Sequence, residues 1–491
     1  MTLTKHLVSN QCLFVDRASF PLEKIVGRSI LVRMKHFTTN LVNLFYDIHG
    51  YMTGVDKDHP KLWWAFTISY IGLFIFGFWP GYIIFQSAWH SSGMAMLLHL
   101  LSVTLPVWLT LFLFFVFYEV WLEYIRMDYI VKQGSVLLEI KLPKIIEKSP
   151  LAMEIFFTAL YQTGSSTAIE TFWNGKIRPW FSCELVSDEG KVRYFIWTHK
   201  KYKELVETQL YAQYPDIAVH EVPDYTTWVH HDPENLPLWG AYFKLTKEDV
   251  YPIKTYVDYG LDKESEDVFK ADPMSSVLEY LGSLGKGEHV WFQILIRAHK
   301  TQGWEEGVFG KSHDWKEEAE EEIKKIREKA TPETTGDYPG FPNPTKGQVE
   351  AIAAIERSIS KFPYETAIRG FYIAKKEAFN PNRFSGLIGS FRQYSSNYLN
   401  GFKLGTFTDF NYPWEDFKRW RRNRIERNML EAYKWRSFFY PPFKFYRQKP
   451  FILMTEELAT IFHFPSGIAV QTPTMNRIPS KRAGPPANLP I

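Results

Sequence analysis

The chain has 491 residues, of which 45% are hydrophobic, 17% aromatic and 23% charged. At roughly 100–200 residues per domain this length holds two or three domains with cores of their own. The 39 Phe, 27 Tyr and 17 Trp exclude a disordered or collagen-like chain, and a net charge of +3 excludes a protein that coats nucleic acid with its whole surface. Two cysteines, Cys12 and Cys183, provide neither a disulfide framework nor a metal-ligand spacing.

Residues 1–61 read as an N-terminal cytoplasmic segment carrying eight Lys/Arg. From Leu62 to Tyr118 there follow 57 residues without one Asp, Glu, Lys or Arg. About 20 apolar residues cross a bilayer core, so this block predicts a two-helix transmembrane hairpin over 62–122. Its spans are Leu62–Gln86 and Met94–Leu122, parted by Ser87–Gly93. The basic flanks place both termini in the cytoplasm, which predicts a multi-pass protein of the cytoplasmic membrane.

Residues 123–237 then predict a first ferredoxin-like lobe. Its β-α-β-β-α-β order uses strands at Gly134–Leu142, Trp180–Val186, Val192–Thr198 and Ile217–Val222, with helices opening at Ser149-Pro150 and spanning Lys200–Gln213. Ser187-Asp188-Glu189-Gly190 reads as the hairpin turn. Residues 238–410 predict a second α+β lobe of the same loose order. It has strands at Trp239–Leu245, Val290–Arg297, Ala367–Ala374 and Leu404–Phe407, and helices from Asp272-Pro273, from a Thr345/Gln348 capping box, and from Pro381 to Leu399. A charged insertion, 300–345, carries the solvated helix Trp315–Lys329. The expected fold class is therefore a membrane-anchored α+β protein with ferredoxin-like lobes.

Catalytic signatures are weak. Gly310-Lys311-Ser312 resembles the end of a phosphate loop, but Glu305 stands where the first glycine is required. His220, His230, His231 and Asp232 have no second ligand cluster and read as a surface loop. There is no G-x-S-x-G elbow. The chain thus reads as non-catalytic, with no cofactor and no metal.

The strongest local signal lies in residues 411–464, a basic and aromatic helical segment. Phe417–Lys449 holds eleven Lys/Arg against Glu426 and Glu431. Six of these cations, Lys418, Arg419, Arg421, Arg422, Arg424 and Arg427, would surround a continuous helix. Tyr433, Trp435, Phe438, Phe439 and Tyr440 follow. Arginine pairs phosphate and aromatics stack on bases or sit among headgroups, so the six cations are candidate contacts to a polyanion. A solvated helix face with a buried aromatic end, contact with a lipid headgroup and contact with a nucleic acid all fit this pattern. Residues 465–491 are a Pro-rich tail or linker.

Four stretches carry a resemblance: Ser135–Gln162, Tyr211–Thr226, Gly370–Asn380, and Phe451–Gly467 with Thr472–Ile491. Together they resemble an uncharacterised membrane-anchored domain family of candidate-phyla bacteria, over roughly residues 40–491. In that family the domain accompanies TraG- or HerA-like ATPases of type IV secretion or conjugation systems, and Thr455–Pro465 looks like the lead-in to such a motor. The resemblance implies a membrane component that anchors or positions the ATPase, separate or fused, and guides its substrate. The partners expected are a lipid bilayer, that ATPase, DNA or anionic lipid, and further copies of the chain. A membrane-surface adaptor unrelated to secretion, or a membrane enzyme with an unrecognised site, is the alternative.

Overall fold

The structure is a computed structural model. It describes residues 92–478 apart from 144–145, 147, 165, 263–270, 301–314, 331–342, 411, 413, 415, 445–447 and 466–476. The first expected span, the Gly310-Lys311-Ser312 motif and most of the Pro-rich tail lie outside the described residues. The chain divides into two compact units, Met1–Ile125 and Arg126–Ile491.

Helix α1, Ser92–Gln133, contains the second expected span. Among the described residues no helix is long and apolar enough to cross a membrane. The expected transmembrane hairpin is corrected on this ground, and the multi-pass membrane location with it.

The second unit is built on strands β1 (Ser135–Pro143), β2 (Trp180–Asp188), β3 (Lys191–His199), β4 (Ala218–Glu221), β5 (Leu238–Leu245), β6 (Glu288–Ala298), β7 (Pro363–Ala374), β8 (Phe402–Phe407), β9 (Phe451–Met454) and β10 (Arg477–Ile478). Its remaining helices are α2 (Leu151–Ala159), α3 (Ala168–Phe172), α4 (Lys203–Gln213), α5 (Pro273–Gly282), α6 (Trp315–Lys329), α7 (Lys346–Ile359), α8 (Arg383–Gly389), α9 (Trp420–Lys434) and α10 (Thr455–Ile461). The sheet runs β10-β1-β3-β2-β6-β7-β5-β8, with β4 also on β1 and β9 also on β7. Among the described residues nine strands pair antiparallel; β10 adds a two-residue parallel edge.

This corrects the expectation of ferredoxin-like lobes behind a membrane anchor. Strands β2 and β6 pair over nine residues, from Trp180↔Arg297 to Asp188↔His289, so one continuous sheet crosses the middle of the unit. The reason is visible in β6, where every residue is buried. Val290, Phe292, Ile294 and Ile296 enter one core, and Trp291 and Leu295 enter another on the opposite face. A strand apolar on both faces belongs in the middle of a sheet rather than at its edge. Each large apolar side chain buried this way contributes about 1.5–3 kcal/mol.

Helices α2, α4, α5, α8 and α10 cover the first face. On the second face lie Ile425, Met429, Leu430 and Tyr433 of α9, with Phe438, Phe439 and Tyr440 beyond it. Helix α6, expected to be solvated, turns Trp315, Ala319, Ile323 and Ile326 inward onto Ile355 of α7 and Ile452 and Met454 of β9. Its i, i+4, i+8, i+11 spacing makes that apolar stripe. Helix α8 is shorter than the predicted Pro381–Leu399 helix.

The expected hairpin turn is present. Glu189 and Gly190 both have positive φ, 52° and 84°, as a tight hairpin turn requires. A Cβ on Gly190 would lie 2.8 Å from the Leu284 carbonyl oxygen and 3.0 Å from that of Gly282. Gly190→Ala is therefore expected to lower stability by about 1–3 kcal/mol, read as a lower urea midpoint. Gly260→Ala, also at positive φ (71°) but with no atom within 4 Å of its Cβ, should cost less. Equal midpoints for the two variants would contradict this account.

Candidate functional site

The six predicted cations lie just before and within the first half of α9, but they do not encircle it. Helix α9 starts at Trp420, after Lys418 (φ 56°, ψ 25°) and Arg419 (φ 55°, ψ 21°), two consecutive non-glycine residues in the left-handed region. The Asp416 carboxylate holds this bend by accepting hydrogen bonds from the Arg421 and Arg422 backbone N–H groups at 2.7 and 2.8 Å. An acid there also complements the positive end of the helix.

Along α9 the residue spacing sorts the remaining charges. Ile425, Met429, Leu430 and Tyr433 face the core, while Arg421, Arg424 and Arg427, three residues apart, are exposed on the outer side. Lys418 and Arg419 are exposed as well. Arg422 differs: its Nη1 reaches Asp409 Oδ1 at 3.0 Å and its Nε reaches Glu426 Oε1 at 2.7 Å. Glu426 is itself buried, and its other oxygen lies 3.1 Å from His231 Nε2. Arg422 therefore serves the fold, and five of the six candidates form the outward basic surface.

Most of the aromatics that follow the basic run lie inside, the arrangement that goes with a solvated helix face and a buried aromatic end. Tyr433, Phe438, Phe439 and Tyr440 are buried, and Trp435 is partly exposed. Other exposed rings lie just before the helix and at its first residue. Trp414 is 77% exposed, Trp420 71% and Tyr412 52%. Tyr412 and Trp414 stack on each other with centroids 4.7 Å apart and planes 11° apart. The Arg421 guanidinium lies 5.3 Å over the Phe410 ring. Tyr412 and Trp414 escaped the sequence reading because they precede the basic run. The signal that could have found them is the N-Y-P-W stretch itself, Asn411–Trp414, two large rings beside a proline.

Other polar clusters are interior. The Arg436 guanidinium joins Glu184 and Asp224 beneath α9. Glu365 accepts from Arg178 and Arg297. Burial alone would raise its pKa, yet these guanidinium groups, with His299, hold it down to about 2. Thr455–Pro465, read as a motor lead-in, is buried throughout. There Glu457 accepts from the Ile253 and Met454 N–H groups, Glu456 accepts from Thr255 Oγ1, and His463 Nε2 lies 3.1 Å from Asp272. This segment locks α10 into the core.

His220 and His230 are exposed and separate from the Glu426-bound His231. Asp232 organises a turn by accepting from the Glu234 and Asn235 backbone N–H groups. Cys183 is buried, and burial pushes its thiol far above the ordinary range, away from nucleophilic use. What the exposed corner can do chemically is attract anions and offer flat apolar faces.

No curated protein matches this sequence. A family model described as a domain of unknown function, DUF8128, matches residues 138–477, from β1 to β10, and the chain belongs to that family.

Proposed function

We propose that this protein is a non-catalytic module that holds nucleic acid on the basic corner of α9. In keeping with the resemblance to domains that accompany conjugation-type ATPases, the module would position such a motor and guide its substrate strand; that partner rests on the sequence resemblance alone. The observation that carries the reading is the sorting of charge. Lys418, Arg419, Arg421, Arg424 and Arg427 are exposed, and Arg422 is held between Asp409 and Glu426. A cluster of exposed cations in a chain of net charge +3 concentrates positive potential where phosphates can reach it.

Binding of the full-length protein to a fluorescent single-stranded oligonucleotide, followed by anisotropy at about 50 mM and 200 mM salt, tests this. Counterion release makes affinity fall steeply with salt, by about 0.7 in the log–log slope for each phosphate contact on a single strand. The triple variant Arg421→Gln, Arg424→Gln, Arg427→Gln should bind at least tenfold more weakly and lose about two from that slope. A wild-type protein that binds no oligonucleotide at 50 mM salt, or a triple variant that binds as tightly as wild type, would overturn the reading.

A further inference from the structure

We infer that the ligand of this corner is single-stranded, with an unpaired base stacked on the Tyr412–Trp414 pair and a second stacking position at Trp420. The inference rests on the nucleic-acid reading above and deepens it. Single exposed aromatics are ordinary on protein surfaces. Here three of them fall within residues 412–420, interleaved with Lys418 and Arg419 and followed by Arg421.

Their arrangement suits a flat ligand. Tyr412 and Trp414 are almost parallel, so the pair presents a ring face rather than an edge, and the high exposure of Trp414 leaves most of the indole in water. A base covers such a face without needing any particular hydrogen-bond pattern. In a duplex both faces of every internal base are already stacked, so the platform selects unpaired strands.

The backbone supports the same conclusion. Consecutive left-handed conformations at Lys418 and Arg419 are unfavourable for residues with a Cβ, and such strain clusters where a particular presentation is needed. The Asp416 bonds to the Arg421 and Arg422 N–H groups hold the bend. It keeps Lys418 and Arg419 beside Trp420, all three exposed. Alternating flat apolar faces and cations match the alternating bases and phosphates of one strand, and a membrane surface has no such alternation.

The test compares full-length wild type with Trp414→Ala, Trp420→Ala and the double variant. Each is titrated with an oligothymidylate, with a duplex of equal length, and with vesicles containing about a third anionic lipid. Because both indoles are exposed, urea midpoints should match wild type and show that the variants fold. Single-strand affinity should fall about tenfold for each single variant, with duplex affinity unchanged. Wild-type tryptophan fluorescence should be quenched by the single strand, and less so in Trp414→Ala. Trp414→Phe, which keeps a ring face, should recover most of the affinity.

A double variant that binds the single strand like wild type overturns the stacking proposal. If the Arg→Gln triple variant still loses binding in that case, the basic surface stands without it. Wild-type preference for duplex also overturns the proposal. So does loss of vesicle binding in Trp414→Ala with oligonucleotide binding intact, which would identify the corner as a lipid contact.

Discussion

Replacing Arg436 by alanine is expected to destabilise the protein by about 3–5 kcal/mol, the cost typical of leaving a buried charge without its partner. Arg436 is 1% exposed and Glu184 fully buried. The guanidinium donates to both Glu184 oxygens at 3.0 and 3.1 Å and to both Asp224 oxygens at 2.6 and 3.2 Å. Glu184 also accepts from Ser182 Oγ, Tyr225 OH and Gln293 Nε2. Gln293 in turn accepts from Arg369 Nε, and Arg369 donates to the carbonyl oxygens of Ala432, in the last turn of α9, and of Ser437, just past it. Removing Arg436 strands an ionised carboxylate in this interior and unties the C-terminal end of α9 from β2. Its positive φ of 48° adds to the fixed geometry of the turn that ends the helix.

Urea unfolding followed by tryptophan fluorescence measures the loss. Arg436→Lys should recover only part of it, because an ammonium cannot reproduce the two-armed bonding to two carboxylates. Adding Glu184→Gln to Arg436→Ala should relieve the stranded charge, so the double variant should be more stable than Arg436→Ala alone. A single variant within about 1 kcal/mol of wild type would show that water or a rearranged partner replaces the arginine. The functional consequence follows from geometry. The network fixes one end of α9, and the other end carries the basic corner.

Local signals in the sequence were clear where the chemistry is local. The Thr345 capping box forms, with Thr345 accepting from the Gln348 N–H and Gln348 accepting from the Thr345 N–H. Asp272 caps α5 through the Met274 N–H, with Pro273 at the first turn. Strands β2, β3, β5 and β6 lie within two residues of the predicted runs, because apolar residues of high strand propensity stand between turn residues there.

What was not legible depends on long-range pairing. Nothing near Arg436 in the chain announces Glu184 252 positions away or Asp224 212 away. A run of eleven basic residues therefore read as one surface, although Arg422 and Arg436 serve the interior. Likewise the sequence left Phe438, Phe439 and Tyr440 open between a contact role and a buried aromatic end, and the second face of a ten-stranded sheet is what buries them. Thr455–Pro465 reads as a motor lead-in by resemblance, and only the distant Ile253 N–H together with the Met454 N–H explains why its Glu457 is inside. Joining β2 to β6 is also a pairing decision that no local pattern encodes.

Stability should peak in mildly acidic solution and fall on both sides, with different residues responsible for each limb. On the acid side, Glu365 is raised by burial but held to about 2 by Arg297, His299 and Arg178. Its folded pKa lies below the unfolded carboxylate value, so its contribution is complete above about pH 4.5 and lost as pH falls through 2. A tenfold change in proton affinity is worth about 1.4 kcal/mol, which puts the whole contribution at about 3 kcal/mol. His199 acts in the same direction at higher pH. Burial lowers it to about 4 despite its contact with the Gly134 carbonyl, so its contribution is lost as pH falls from about 6.5 through 4. On the other side stands Glu457. Burial pushes it up to about 8, although the Met454 and Ile253 N–H groups favour its charged form. A carboxyl raised in the folded state contributes fully below about pH 4.5, and that contribution is lost as pH rises through 8. Thermal unfolding midpoints from pH 2 to 9, followed by circular dichroism, should trace this asymmetric dome. Glu365→Gln should flatten the limb between pH 2 and 4.5, and Glu457→Gln the limb between 4.5 and 8, while each lowers the maximum by removing an acceptor that main-chain or guanidinium donors require. An acid limb unchanged in Glu365→Gln would transfer it to other carboxylates, and an alkaline limb unchanged in Glu457→Gln would mean that the two N–H bonds outweigh burial and keep that carboxylate charged at neutral pH.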